Sequence, residues 1–253
     1  MILETFQLKG KNALVTGSSR GLGAAIALAL AEAGANVALH GSSSVPERLV
    51  ENITKTGARY LVLTGDLRQQ ELCPVLVEQT IAGLGGIDIL VNNAGTIRRS
   101  PAVDFSMTDW MEVLQTNLTS VFQLSQAAGR HMLKQGSGKI INIASLLSFQ
   151  GGVTVPSYAA AKGGVAQLTK ALANEWASKG VQVNAIAPGY METDNTKALR
   201  EDQTRSRQIL ERIPAGRWGS PQDVAGAAVF LASAASNYIN GHILAVDGGW
   251  LGR

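Results

Sequence analysis

The sequence predicts an α/β fold, a doubly wound open sheet of seven parallel strands with helices on both faces, in one domain spanning residues 1–253. Three observations predict it. Short β-branched and apolar runs alternate with longer helical patterns from end to end, as repeated βα units do. Runs such as Ile87-Asp88-Ile89-Leu90-Val91 are apolar on both faces, so helices must cover the sheet on each side. The 253 residues, 45% hydrophobic and 16% charged, can bury a sizeable core, which excludes a disordered, collagenous or coiled-coil chain.

The elements follow in order. Strands are expected over residues 12–16, 36–40, 60–63, 87–92, 139–143, 181–187 and 242–246, where β-branched and apolar residues cluster between turn residues. Helices are expected over 22–33, 46–56, 71–83, 108–131, 157–178 and 221–234, where apolar residues recur at helical spacing. Ser220 before Pro221 marks the last of these, an N-cap followed by proline at the first helical position. No repeat of fixed period and no low-complexity tract interrupts the series. Residues 190–213 break the rhythm and carry much of the charge, so they are expected to form a long mobile insertion, a lid over a site.

Composition narrows the function. Twenty-two Lys and Arg against nineteen Asp and Glu leave a formal charge of +3, and the pI is about 9.1. The charges are interspersed and the longest basic run is Arg98-Arg99, which predicts a mixed solvated surface and no nucleic-acid partner. Cys73 is the sole cysteine; it excludes an intrachain disulfide and fits a reducing compartment. Lying beside Pro74 in an apolar helical pattern, it reads as a core thiol rather than a nucleophile. Met1-Ile2-Leu3-Glu4 lacks the basic and apolar segments of a secretory leader, and the longest apolar run, 24–31, is far short of the ~20 residues that span a bilayer. A cytoplasmic protein without a membrane partner is expected. His40, His131 and His242 lie on different elements, so no metal site is expected.

The first strand runs into Thr16-Gly17-Ser18-Ser19-Arg20-Gly21-Leu22-Gly23 and an alanine-rich helix. Glycines there permit a tight turn and close approach of backbone to a pyrophosphate, and a helix N-terminus attracts phosphate, as in a Rossmann-type fold. At the end of the second strand stands His40-Gly41-Ser42-Ser43-Ser44, with no carboxylate to repel a 2′-phosphate. Hydroxyls such as those of Ser19 and Ser42, with a guanidinium fork from Arg20, favour NADP(H), with NAD(H) as the alternative. In the competing reading Arg20 is a solvated loop residue and the serines form a turn and helix cap.

Further residues carry the chemistry. Asn92-Asn93-Ala94-Gly95 follows the fourth strand, Ser145 follows the fifth, and Tyr158 and Lys162 share one helix face four residues apart. A phenol of pKa ~10 is a poor base near neutrality, and an adjacent ammonium favours its ionised form, so the pair is suited to proton transfer. With Thr16 to Gly23, Asp66, Asn117, Pro188-Gly189 and Thr193, these residues resemble the short-chain dehydrogenase/reductase family over nearly the whole chain. The resemblance implies Tyr158 as general acid/base, with Lys162 lowering its pKa and holding the nicotinamide ribose. It further implies Ser145 orienting the substrate oxygen and Asn117 helping to hold a water in a proton relay. For the cofactor it implies Asp66 and Leu67 at the adenine, Asn93, Ala94 and Gly95 in support, and Pro188, Gly189 and Thr193 flanking the nicotinamide. A homotetramer, built partly by the helices containing Asn117 and Tyr158, is implied as well.

Within the family, Ile97-Arg98-Arg99, Ser148-Phe149-Gln150-Gly151-Gly152, Pro188-Gly189-Tyr190-Met191, the stretch from Ile213 to Gly219 and the C-terminal Val246-Asp247-Gly248-Gly249-Trp250-Leu251 are similar to sugar-acid dehydrogenases of pectin and uronate breakdown. The likeness implies reversible oxidation of a secondary hydroxyl on a six-carbon sugar acid. Such relatives often favour NAD, a departure from the strand-two reading. Arg98 or Arg99 could pair with the substrate carboxylate and Gln150 with its hydroxyls, beside Ser145, Tyr158 and Met191. Alternatively the arginines lie at a subunit interface or in solvent, and Trp218 and Trp250 are core or interface rather than ligand stackers. Gluconate 5-dehydrogenase and 3-oxoacyl carrier-protein reductase share these motifs; the latter wants an apolar channel, against which Arg98, Arg99 and Gln150 count. A silent nucleotide sensor would dispense with Ser145, Tyr158, Lys162 and Asn117.

Overall fold

Seven strands pair in parallel throughout: β1 (Asn12–Val15), β2 (Asn36–Gly41), β3 (Tyr60–Thr64), β4 (Ile89–Asn92), β5 (Gly138–Ile143), β6 (Val181–Pro188) and β7 (Ile243–Val246). The computed structural model describes all of residues 1–253. The spatial order β3-β2-β1-β4-β5-β6-β7 reverses direction between β1 and β4, and the loops leaving those two strands part to opposite faces. That is where an open α/β sheet binds ligands.

Helices cover both faces, as the doubly apolar strands require. On one side α1 (Gly21–Glu32), α2 (Glu47–Lys55) and α9 (Pro221–Ala232) pack through Ile26, Leu30, Ile53, Val224 and Leu231. On the other α3 (Leu72–Leu84), α5 (Ser120–Gln135) and α6 (Pro156–Trp176) pack through Cys73, Leu76, Leu124, Met132 and Trp176. Cys73 is wholly buried, and burial pushes its thiol up to about 11, the behaviour of a core cysteine. No helix is long and apolar enough to cross a membrane, and no three His, Cys, Asp or Glu side chains cluster as metal ligands.

Three segments depart from the sequence reading. The helix expected over 108–131 is broken into α4 (Met107–Leu114), a π-helical turn (Gln115–Thr119) and α5, so that Asn117 sits in a widened turn. Ile87 and Asp88 precede β4 instead of forming it. The Asp88 carboxylate accepts the Asn12 N–H at 2.9 Å and the Lys11 ammonium at 3.1 Å, fixing the start of β1. Residues 190–213 are mostly helical: a 3-10 turn (Asp194–Thr196), then α7 (Lys197–Glu201) and α8 (Gln203–Arg212), with Ile209 and Ile213 buried.

Hydropathy alone also hides a polar chain inside the sheet. Asn92 and Asn142, paired in register on β4 and β5, are wholly buried. The Asn92 amide donates to Asn142 Oδ1 at 2.8 Å and to Ser125 Oγ at 3.0 Å, and the Asn142 amide donates to Thr169 Oγ1 at 2.9 Å. The chain ties the sheet to α5 and α6 just below the end that carries Ser145. Asn142→Leu removes one hydrogen bond each from Asn92 and Thr169 in a dry core, leaving them Ser125 and the Val165 carbonyl, and is expected to lower the unfolding free energy by about 1–3 kcal/mol in urea titrations.

Candidate active site

A cleft of about 700 Å³ opens over the carboxyl ends of the strands. Its floor is built from the turn after β1. Thr16 Oγ1 accepts the N–H groups of Asn93 and Ala94 at 3.0 and 3.1 Å, and the Asn93 amide donates back to the carbonyls of Thr16 and Gly17 at 2.9 and 3.0 Å. A methyl group on Gly23 would collide with the Gly17 carbonyl and the Asn93 amide, so only glycine lets α1 begin this close to the loop. No side chain caps the start of α1, which leaves its first-turn N–H groups available to an anion.

His40 braces the same loop from β2. Its Nδ1 accepts the Gly17 N–H at 3.2 Å and its Nε2–H donates to the Gly65 carbonyl at 3.0 Å, which assigns the neutral Nε2–H tautomer. Burial lowers its pKa, in keeping with a neutral ring. His40 lines the cleft, yet both ring nitrogens are spent on the protein, so it acts through the loop. Ser18, which the sequence reading passed over, exchanges hydrogen bonds with the His40 backbone at 2.8 and 2.9 Å. Arg20 is exposed and its Nε lies 3.3 Å from Asp194 across the cleft. Beyond it, Asp66 accepts from Arg68, which holds its carboxyl below the usual range.

At the other end Ser145 leaves β5 and Tyr158 and Lys162 rise from α6. Lys162 is buried, donates to the Ile143 carbonyl at 2.5 Å and lies 5.7 Å from the Tyr158 ring centre. Burial pushes Tyr158 above the ordinary phenol range, while a hydrogen bond with Ser145 and the charge of Arg99 pull it back. Burial also lowers Lys162 itself, to about 8.

Of the residues singled out in the sequence, Gly17, Ser19, Arg20, Gly21, Leu22, Gly23, His40, Ser42, Asp66, Leu67, Asn93, Ala94, Gly95, Ser145, Tyr158, Lys162, Pro188, Gly189, Met191 and Thr193 line this one cleft. Four do not. Asn117 is buried behind the wall, where its amide accepts the Thr96 N–H and donates to the Thr96 carbonyl, both at 2.8 Å, and so anchors the loop that carries the arginines. Arg98 is already neutralised, by Glu112 at 2.7 Å and Asp109 at 3.4 Å, which corrects its reading as a carboxylate partner for substrate. Arg99 donates to the Asn195 carbonyl at 3.0 Å and thereby joins the Tyr158 side of the cleft to residues 190–213. Gln150 accepts the indole N–H of Trp250 at 3.3 Å. The sequence reading missed Thr96, Glu112, Asp194 and Asn195, all of which line the cleft; nothing in their local spacing marks them, because each acts through a partner distant in the chain.

Residues 17–251 match the family model described as enoyl-(acyl carrier protein) reductase. The chain belongs to the short-chain dehydrogenase/reductase family. Among family members it is 57% identical to the 2-dehydro-3-deoxy-D-gluconate 5-dehydrogenase of Bacillus subtilis, covering 99% of this chain and 98% of that one. To the enzyme of the same name from Escherichia coli it is 56% identical over the full length of both. The crystal structure of a proposed 2-deoxy-D-gluconate 3-dehydrogenase from Agrobacterium tumefaciens, with bound NADP, is 55% identical and superimposes with a TM-score of 0.92, covering 98% of this chain and 99% of that one.

Two buried lysines make stability depend on pH. Lys162 and Lys139 each fall to about 8 from the ordinary 10.5 because burial penalises the ammonium. Between those values the unfolded chain holds protons that the folded one lacks, so unfolding free energy rises with pH from about 8 to 10.5. Urea titrations across that window are expected to show the rise, and Lys162→Met is expected to remove roughly half of it.

Proposed function

We propose that this chain reversibly oxidises, with NADP(H), a secondary hydroxyl of a six-carbon sugar acid, 2-dehydro-3-deoxy-D-gluconate or 2-deoxy-D-gluconate, in pectin and uronate catabolism. The observation that carries the substrate class is 56–57% identity, across the whole chain, to dehydrogenases of 2-dehydro-3-deoxy-D-gluconate. The joining of Ser145, Tyr158 and Lys162 in one cleft carries the reaction type. The mostly polar lining suits a hydroxylated acid better than a long acyl chain.

The cradle fits a dinucleotide. Gly17 and Gly21 to Gly23 with the uncapped start of α1 would hold the pyrophosphate, and Arg20 with Ser42 the 2′-phosphate, for which Arg20 would exchange its exposed pairing with Asp194. Asp66 and Leu67 would flank the adenine, Asn93 to Gly95 the middle of the cofactor, and Pro188, Gly189 and Thr193 the nicotinamide. Bound NADP(H) supplies or accepts the hydride. Tyr158 exchanges the proton with the substrate oxygen, and Ser145, lining the same cleft, orients that oxygen. Lys162 holds the ribose and its charge favours the ionised phenol, and Asn117 serves the relay by fixing the wall at Thr96. Arg99 lies outside the cleft lining, but its charge reaches Tyr158 and would act on a substrate carboxylate at that end, and Met191 lines the cleft. Residues 190–213 form the lid.

The enzyme is cytoplasmic, in keeping with its free thiol, and a homotetramer. Met107 and Met111 of α4 and Phe122 of α5 are exposed apolar groups of the kind that such an assembly covers.

The test is initial rates with 2-dehydro-3-deoxy-D-gluconate and D-gluconate, each with NADP and NAD. Turnover of the deoxy acid is expected to exceed that of D-gluconate; no turnover of either, with normal cofactor binding, overturns the substrate reading. Tyr158→Phe is expected to lower kcat by about 10²–10⁴ while NADP still binds in calorimetry. Arg20→Ala is expected to lower kcat/KM for NADP by about tenfold or more and to leave NAD largely unaffected.

A further inference from the structure

We infer that Asp194 is a specificity-determining residue, a carboxylate carried by residues 190–213 that competes with the cofactor's 2′-phosphate for Arg20 and so weakens the preference for NADP(H) over NAD(H). The inference rests on the reading of Arg20 as the partner of the 2′-phosphate given above.

A fold of this kind ordinarily selects against a 2′-phosphate with a carboxylate at the end of the second strand. Here that place is taken by His40-Gly41-Ser42, and the first acidic residue after it is Glu47, already in α2. The cleft nevertheless contains four carboxylates, those of Asp66, Glu112, Glu192 and Asp194. Of these only Asp194 meets Arg20, its Oδ2 lying 3.3 Å from Nε, and neither side chain has another ion-pair partner. The other cations lining the cleft are engaged elsewhere: Arg68 with Asp66 at 2.8 Å and Glu112 at 3.5 Å, Lys162 with the Ile143 carbonyl at the far end. A phosphate monoester carries a charge of about −1.5 to −2 near neutrality. It must take the guanidinium from Asp194 and then sit beside a carboxylate of like sign, whereas NAD(H) brings only hydroxyls to that place.

The fold holds Asp194 in this position. Thr193 and Thr196 close a turn around it, Thr196 Oγ1 accepting the Thr193 N–H at 3.2 Å. Arg200 donates to the Thr193 carbonyl at 3.2 Å and Arg99 to the Asn195 carbonyl at 3.0 Å, so the residues on both sides of Asp194 are pinned. Thr193 also reaches the glycine loop, since a methyl on Gly21 would lie 3.6 Å from its Cγ2. A braced turn thus presents the carboxylate across the cleft. A carboxylate on the second strand would oppose a 2′-phosphate permanently; this one opposes it only while residues 190–213 lie against the glycine loop.

Calorimetric titration with NADP and with NAD, which differ only in the 2′-phosphate, reads the competition without any substrate. Asp194→Asn is expected to bind NADP about two- to fivefold tighter, the range that an exposed ion pair covers, and NAD as wild type does. Asp194→Glu, which keeps the charge, is expected to keep the wild-type ratio of the two affinities. In an Arg20→Ala background, Asp194→Asn is expected to gain nothing, because the group competed for is gone. Unchanged or weaker NADP binding in Asp194→Asn overturns the inference. So does an equal gain for both cofactors, a gain that survives in Arg20→Ala, or an Asp194→Glu that behaves like Asp194→Asn. Arg20→Ala protein that binds NADP as tightly as wild type overturns the reading of Arg20 itself; weakened NADP binding in Arg20→Ala beside an indifferent Asp194→Asn overturns the inference alone.

Discussion

The hydroxyl of Thr16 and the amide of Asn93 hold the whole binding edge together. Where the strand order reverses, β1 and β4 send their loops to opposite faces of the sheet, and the backbone groups at the strand ends lose the partners that a ladder would supply. Thr16 Oγ1 takes two of the orphaned N–H groups and the Asn93 amide serves two of the orphaned carbonyls. The gap stays open because its backbone is satisfied from the side. His40 repeats the device from β2, with one ring nitrogen on Gly17 and the other on Gly65. A cleft built this way presents its glycine loop in one conformation before any phosphate arrives, which spares binding the cost of ordering it.

The catalytic end trades solvation for control. Tyr158 and Lys162 stand where burial moves each toward its neutral form, the phenol upward and the amine down to about 8. Neither shift alone makes a proton-transfer pair, since a phenol held above its ordinary range is less often ionised at pH 7 and so less available as a base. The counterweights are the Ser145 hydrogen bond and the positive charge of Arg99, both delivered by loops that end in the cleft. Arg99 is also bonded to the Asn195 carbonyl, so the charge acting on the phenol depends on where residues 190–213 lie. Arg98, its neighbour in sequence, has no such freedom: Glu112 and Asp109 neutralise it, and Glu112 is shared with Arg68 at 3.5 Å.

The strands, the order of helices and the two ends of the cleft were legible in sequence because each is written in local spacing: the glycine turn, the i, i+4 pair of Tyr158 and Lys162, the period of the apolar residues. What escaped is written in contacts across the chain. Arg98 and Arg99 are identical residues side by side, and only the carboxylates of α4, packed against them by the fold, tell them apart. The π-helical turn at Asn117 leaves no mark on the apolar period, because the extra residue is absorbed within one turn and both flanking helices keep their faces. His40 stood where a cofactor contact was expected, and its true partners, Gly17 and Gly65, are more than twenty residues away on either side. Nothing local marks Asn142 as the partner of Asn92, yet the register of β4 and β5 pairs them in the core.

The division of the core into parts has a functional consequence. Cofactor-facing residues sit on β1, β2, β4 and the start of α1, backed by the two large clusters, whereas Leu146, Ile209, Ile213, Trp218 and Trp250 form a small cluster of their own beneath the substrate side. Residues coupled through one small cluster can be exchanged together at modest cost to the rest of the fold, because energetic coupling fades between groups that share no partners. Changes that reshape the substrate end therefore leave the glycine loop, and with it the hydride chemistry, in place. That separation is a physical reason why one dehydrogenase fold can keep its cofactor site while its substrate changes, and here the separating boundary runs between Ser145, which serves the reaction, and Leu146, which anchors the satellite cluster.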